Sequence, residues 1–218
     1  MSLPRLLSIQ IGNITHYGQA EATDPHDREW TTAFYKAPVT GPVQVGPYGL
    51  QGDQQADREN HGGHDKAVLL YGASHYELWR QELNLPDMPH GGFGENLTVA
   101  GLTEDTVCVG DVWSLGEVKL QVSQPRQPCW KMARRWRMKE LPALVIANHR
   151  SGWYCRVIQS GLIDAGQTLE LLARPHPEWT ISRASDVMYH HKHDAKLSHE
   201  LASLPELARS WQADLSRR

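Results

Sequence analysis

The residues best suited to chemistry gather in three short stretches. The sharpest is Ser123-Gln124-Pro125-Arg126-Gln127-Pro128-Cys129-Trp130-Lys131. It reads as a strand end, a turn fixed by two prolines, and a helix that starts near Pro128 and runs through Met132, Arg135 and Trp136. Proline is favoured at the first helical position, which puts Cys129 in the first turn. There the unpaired N–H groups and the helix dipole favour the thiolate, the form that ligates metals. Arg126, Lys131 and Arg134 add positive charge beside it. The competing reading makes Cys129 one more buried small hydrophobe, as free cysteines usually are. Cys108, between two valines, and Cys155, before Arg156-Val157-Ile158, read as strand residues that pack and do nothing more.

The second stretch is Gly52-Asp53 followed by Asn60-His61-Gly62-Gly63-His64-Asp65-Lys66. Paired glycines before a strand let backbone N–H groups turn inward around an anion, and Lys66 adds a point charge suited to phosphate. His61 and His64 invite a metal, but His-x-x-His without a third partner is weak, and a polar turn between strands explains the run as well. The third stretch is Gly91-Gly92-Phe93-Gly94-Glu95-Asn96-Leu97. Its glycines permit close approach of a ligand, and Asn96 offers donors and an acceptor to a heterocycle edge. The tail run His190-His191-Lys192-His193 reads as a solvated helix face.

Short strands must position these stretches. Leu6–Ile11, Ala33–Ala37, Val43–Val45, Lys66–Tyr71, Asp111–Leu115, Val118–Ser123, Trp153–Gln159 and Thr168–Ala173 carry strand patterns, with a helix over Ser74–Leu83. Scattered Gly and Pro among short strands predict a mostly β (α+β) fold, a barrel-like domain with inserted helices. After Arg174-Pro175-His176-Pro177 the texture changes. Apolar residues at helical spacing predict three short helices, capped at Thr180 or Ser182 and with Pro205 in the first turn of the last. The division expected is a β domain over 1–175 and a helical extension over 178–218.

The chain has 218 residues, enough for a full core without staples, and a formal net charge of −3 that gives no general attraction to nucleic acid or an anionic membrane. Its three cysteines include no Cys-x-x-Cys pair, which removes the usual zinc, dithiol and iron–sulfur patterns. No run approaches the ~18 apolar residues of a membrane span. A reducing cytoplasm is the expected compartment.

Taken in order, Gly52-Asp53, His61-Gly62-Gly63 with Asp65-Lys66, Phe93-Gly94-Glu95-Asn96-Leu97, Val109-Gly110-Asp111 and Gln124-Pro125-Arg126-Gln127-Pro128-Cys129 resemble the MOSC family. That family is named for the C-terminal domain of molybdenum-cofactor sulfurases. Within it the chain looks most like the stand-alone bacterial YiiM-like branch, linked to resistance against 6-hydroxylaminopurine. The resemblance covers nearly the whole chain, although Thr15–Thr32 has no counterpart in it.

The resemblance implies a barrel-like fold and a molybdenum cofactor (molybdopterin) whose metal is ligated by Cys129. In the site this implies, the backbone of His61-Gly62-Gly63, with Lys66, Arg126 and Lys131, would hold the pterin phosphate, and Asp65 would be a further cofactor-binding residue. Asn96 would meet the pterin edge, and His61 or His64 would donate protons. Because related amidoxime-reducing components reduce N-hydroxylated substrates, the expected activity is that of a molybdenum-dependent oxidoreductase acting on small N-hydroxylated compounds such as hydroxylaminopurines. With no Gly-x-Gly-x-x-Gly fingerprint in the sequence, electrons are expected from a separate flavin or iron–sulfur reductase. No nucleic-acid or membrane partner is expected, and the chain is expected to be a monomer or homodimer. Two alternatives stand beside this reading: a sulfur carrier with a persulfide on Cys129, and a cofactor-binding module without turnover.

Overall fold

Apolar runs broken by glycine and proline become strands, and where apolar residues fall three and four apart the chain turns helical. The computed structural model describes residues 3–218. The first half holds β1 (Arg5–Ile11), β2 (Thr15–Tyr17), β3 (Trp30–Thr32), β4 (Ala37–Val39), β5 (Val43–Gly46), β6 (Gly49–Leu50), α1 (Arg58–His61), β7 (Val68–Gly72) and α2 (Ser74–Glu82). Then follow β8 (Leu97–Ala100), β9 (Val112–Leu115), β10 (Val118–Pro125), α3 (Trp130–Trp136), α4 (Leu141–Ala147) and β11 (Trp153–Gln159). The chain ends with β12 (Gly161–Ile163), β13 (Leu169–Ala173), α5 (Ile181–Tyr189), α6 (Ala195–Ala202) and α7 (Arg209–Leu215).

Eight strands form one sheet in the order β13-β9-β10-β11-β7-β8-β1-β4. β7 is buried at every residue and pairs β11 antiparallel and β8 parallel. A parallel pair needs a crossover, which α2 and the glycine-rich stretch after it supply. The fold is the expected mixture of sheet and small helices, but the sheet is not a closed barrel. β4 covers the outer side of β1 at Ile9, Gln10 and Ile11, so only the start of β1 is left for β13. There a single bridge joins Arg5 to Thr168, with the Leu6 N–H donating to the Gln167 carbonyl at 2.9 Å. The sheet curls until this corner touches and forms no ladder.

Three local expectations need correction. Ala33–Lys36 is a loop between β3 and β4 rather than a strand, because the Phe34 N–H bonds the Thr32 hydroxyl and the Lys36 N–H bonds the Phe34 carbonyl. Such local bonds compete with a ladder. α7 starts at Arg209, past Pro205, since the Ala208 N–H is held by the Ser123 carbonyl of β10 at 2.9 Å. His190 ends α5, and His191–His193 form the turn into α6, not a helix face.

One apolar cluster runs from Leu6, Leu70, Val122 and Trp153 of the sheet into Ile181, Val187, Leu201 and Trp211 of the C-terminal helices. The boundary we propose at 175–178 falls in the link from β13 to α5, but packing across it is continuous. A second cluster joins Tyr71, Trp79 and Phe93 to Met132 of α3 and Leu141 and Val145 of α4. Met132 is fully buried, and burying such a side chain contributes roughly 1.5–3 kcal/mol, enough to anchor a helix of seven residues. No helix among the described residues is long and apolar enough to cross a membrane.

Candidate functional site

β10 carries the chain straight into the site. Pro125 still pairs with Trp153, and the next N–H, that of Arg126, donates to the Gly152 carbonyl at 3.0 Å. Pairing thus continues far enough to hold the Arg126 side chain inside, 4% exposed. The prolines keep the following residues from coiling until Cys129, which stays extended (φ −123°, ψ 164°) as the residue capping α3. Cys129 therefore sits just outside the helix rather than in its first turn.

Arg126 forms part of a cleft that opens to solvent. Its walls come from distant parts of the chain: Thr32–Phe34 and Lys36 before β4, Asp53–Ala56 after β6, His61 and Lys66, Gly94 and Asn96, Lys131, and Tyr154 of β11.

Buried charge dominates the floor. Lys36 pairs with Asp53, and both side chains are almost fully buried. Burial holds the Lys36 ammonium below the usual lysine range, while Asp53 works against that shift. Asp53 also accepts from the Gly12 N–H (2.8 Å) and from Asn96 Nδ2 (2.9 Å). Asn96 Oδ1 accepts from the Leu69 N–H at 3.2 Å, so this amide is committed to orienting Asp53 and fastening β7. Arg126 Nη2 donates to the Phe93 carbonyl at 3.0 Å, but its Nη1 is buried with no partner among the described residues. A buried guanidinium with an unspent donor is costly unless an acceptor arrives. Lys131 Nζ stands 3.5 Å from His61 Nδ1, and Asp57 lies 3.3 Å from the same ring nitrogen.

The Cys129 thiol is half-buried at the edge of this group. Burial raises it, but a hydrogen bond from His61, the charges of Arg126 and His61, and the Lys131 N–H bring it down to about 7. These neighbours, rather than the dipole of so short a helix, favour the thiolate. Tyr154 is pushed up to about 12, chiefly by burial, and keeps its proton. Cys108 and Cys155 are buried, and burial pushes both thiols up.

The structure thus brings together Cys129, His61, Lys66, Asn96, Arg126 and Lys131. Four other candidates lie elsewhere. Gly63 has φ +90°, which turns the chain outward. Gly62, Gly63, His64 and Asp65 line a separate depression with Arg156 and Arg209. His64 packs its ring 4.4 Å from that of Tyr48. Asp65 pairs with Arg156 Nε at 2.6 Å and accepts the Arg209 N–H at 2.9 Å, which ties the loop to α7. Lys66 touches both depressions and donates to the Asn60 carbonyl at 2.7 Å.

Lys36, Phe34 and Tyr154 went unread as site residues. Gly52-Asp53 was visible as a motif, but nothing local marks Lys36 as its partner. The signal available was that a lysine in an otherwise apolar loop needs an acid.

Alkylation can check the thiol directly. Iodoacetamide should modify Cys129 with a half-maximal rate near pH 7. Cys108 and Cys155 should remain slow at that pH. His61→Ala should move the Cys129 midpoint upward, because a hydrogen bond and a charge that favour the thiolate are lost. A wild-type midpoint at about 8.5, that of a free cysteine, would show that these neighbours do not act on the sulfur.

Comparison with known proteins identifies the family. A family model described as MOSC domain matches residues 57–170, and one described as YiiM-like, 3-alpha helix domain matches residues 179–218. Protein YflK of Bacillus subtilis is 38% identical over 201 residues, covering 92% of this chain and 90% of that one. A protein of Gibberella moniliformis named "Reductase" is 37% identical over 181 residues, which cover 81% of this chain but only 32% of the larger protein. The crystal structure of YiiM from Geobacillus stearothermophilus superposes with a TM-score of 0.81 at 34% identity, covering 98% of each chain. With its sheet, its Pro-Arg-Gln-Pro-Cys segment and its three C-terminal helices in place, the chain belongs to the MOSC domain family, in the YiiM-like branch.

Proposed function

We propose that this protein binds a molybdenum cofactor through Cys129 and, as an oxidoreductase, reduces small N-hydroxylated compounds such as hydroxylaminopurines. The observation that carries the reading is the pairing of one accessible thiol with a cation-walled cleft whose buried Arg126 Nη1 has no partner. Among the described residues no three His, Cys, Asp or Glu side chains come together to hold a metal ion. A metal here would take one ligand from the protein and the rest from a cofactor that brings its own donors. Sulfur from Cys129 suits such a metal, and Arg126, Lys131 and Lys66 suit an anionic cofactor tail. The residues fit the group.

When bound, the cofactor would supply a two-electron redox centre beside the thiol. The chain's own residues would then hold, shield and protonate. Arg126 and Lys131 would fix the anionic end, while Phe34 and Tyr154 would exclude water from one side of the cleft. His61, which hydrogen-bonds the Cys129 sulfur and holds Nδ1 near Asp57 and Lys131, would be the proton donor. The overall change takes two electrons and two protons, releasing an amine and water. The relative named a reductase, 32% of whose length this chain matches, supports placing oxidoreductase chemistry in this protein. We assign the electrons to a separate flavin or iron–sulfur protein.

Elemental and pterin analysis tests the reading, on protein purified from a host that makes the cofactor. Near-stoichiometric molybdenum and pterin, with turnover of a hydroxylaminopurine by a reductant-supplied sample, is the expected result. Labile sulfur on Cys129 without molybdenum would instead make the protein a persulfide carrier. Bound cofactor without turnover under an efficient donor would make it a binding module.

A further inference from the structure

The hairpin β2–β3 lies in the segment that had no counterpart in the sequence resemblance. Its strands pair only with each other, and its loop is held against α3. Arg137 makes ion pairs to Asp24 at 2.7 Å and Asp27 at 2.6 Å, and Arg134 Nε donates to the His26 carbonyl at 3.1 Å. Exposed ion pairs of this kind hold little alone, but here they act with ring contacts.

Trp30 of β3 and Trp130, the residue after Cys129, bring their ring centroids to 5.2 Å. The guanidinium of Arg134 lies 4.8 Å from the Trp30 ring and 5.9 Å from that of Trp130. Arg134 Nη2 is buried and has no acceptor among the described residues. Trp130 nevertheless leaves 55% of its surface exposed. Single exposed apolar side chains need no explanation. An indole packed against a second indole at an interplanar angle of 53°, braced by an arginine with an unspent donor, and set one residue from the site's thiol, does. β3 ends at Thr32, which lines the cleft with Ala33 and Phe34, while Trp30 and Arg134 line the neighbouring depression between the hairpin and α3, so the aromatic pair adjoins the cleft.

We infer that Trp130 and Trp30, with Arg134 beside them, form a stacking platform that binds planar heteroaromatic rings and selects them over small aliphatic N-hydroxy compounds. The inference rests on the proposed reductase activity for the reaction, and on the aromatic geometry alone for ring binding. A flat ring with acceptor atoms on its edge matches both features. Its face covers the exposed indole, and a ring nitrogen or carbonyl oxygen meets the Arg134 N–H. Stacking of this kind is tolerant of the ring's substituents, because every nucleobase presents a π face.

The test uses the cofactor-loaded protein and two probes, 6-hydroxylaminopurine and hydroxylamine. Calorimetric titration with the purine should show binding that weakens about tenfold in Trp130→Ala and is largely restored in Trp130→Phe. In turnover, the ratio of kcat/KM for the purine over that for hydroxylamine should fall by about tenfold in Trp130→Ala, mostly through KM. A substitution that merely loosened α3 would lower both activities and leave the ratio where it was. Unchanged purine binding, or an unchanged ratio, overturns the platform. If the wild type turns over neither probe while purine binding still depends on Trp130, the reductase reading falls and the platform stands.

Discussion

Cys129→Ser should abolish reduction of N-hydroxylated substrates while leaving the fold intact. Serine has nearly the volume of cysteine, and position 129 is half-buried at the start of α3, outside both apolar clusters. Stability should therefore change by less than about 1 kcal/mol. Chemistry should change far more. The thiol at this position loses its proton near pH 7, whereas a serine hydroxyl stays neutral and is a hard, poor ligand for the proposed metal. Groups that only support a metal ligand are worth ~10–100-fold, so loss of the ligand itself should lower kcat/KM at least about a hundredfold. Molybdenum would persist at reduced occupancy wherever the pterin contacts survive. The same change at Cys108 or Cys155 should leave turnover per folded molecule close to wild type, since both sulfurs lie in the packed interior. Full activity and full metal in Cys129→Ser would remove the thiol from the mechanism.

Arg126→Met should empty the cleft of cofactor with little effect on the cofactor-free fold. Two opposing effects meet at this residue. The guanidinium is buried with Nη1 unpaired, and removing a desolvated charge is favourable. Its Nη2 bond to the Phe93 carbonyl is lost, which costs about 1–3 kcal/mol. These effects offset, and a methionine fills a similar volume, so the melting temperature of the cofactor-free protein should shift by only a few degrees. An incoming anion, in contrast, would lose a buried charge-assisted partner worth about 2–5 kcal/mol. Retained pterin and molybdenum should fall by more than about tenfold. The Cys129 alkylation midpoint should also rise, because Arg126 is one of the charges that favour the thiolate. Cofactor content equal to wild type would place the anionic end elsewhere, and the depression lined by Gly62, Gly63 and Arg156 would be the next candidate.

Several parts of this site were legible in one dimension because short-range geometry fixes them. Two prolines restrict the backbone between β10 and α3, so Arg126 and Cys129 are set relative to each other wherever that segment lands. Thr180 caps α5 as its sequence suggests, its hydroxyl accepting the Arg183 N–H at 3.1 Å. The apolar period after Pro177 became three helices for the same reason.

His61 and His64 show where such reasoning stops. They lie three residues apart in one motif, and the turn at Gly63 sends them to different surfaces, His61 to the cleft and His64 to Tyr48. Asp65 carries the charge and position of a cofactor contact, but Arg156 and the start of α7, at 91 and 144 residues' separation, claim its carboxylate first.

What the sequence determined by itself was therefore the family, the helical tail and the segment that presents Cys129. These depend on dihedral restriction, capping and periodicity within a few residues. Only the tertiary structure decided that the sheet stops short of closure, that Lys36 meets Asp53 in the cleft floor, and that the unmatched hairpin brings Trp30 onto Trp130. Each of these is set by long-range pairing. β4 takes the edge of β1 that a barrel would need. A lysine buried beneath the cleft must find whichever carboxylate the fold places there. Such partners satisfy desolvated charges and open sheet edges across the whole molecule, and no local run of residues encodes which of the available groups will arrive.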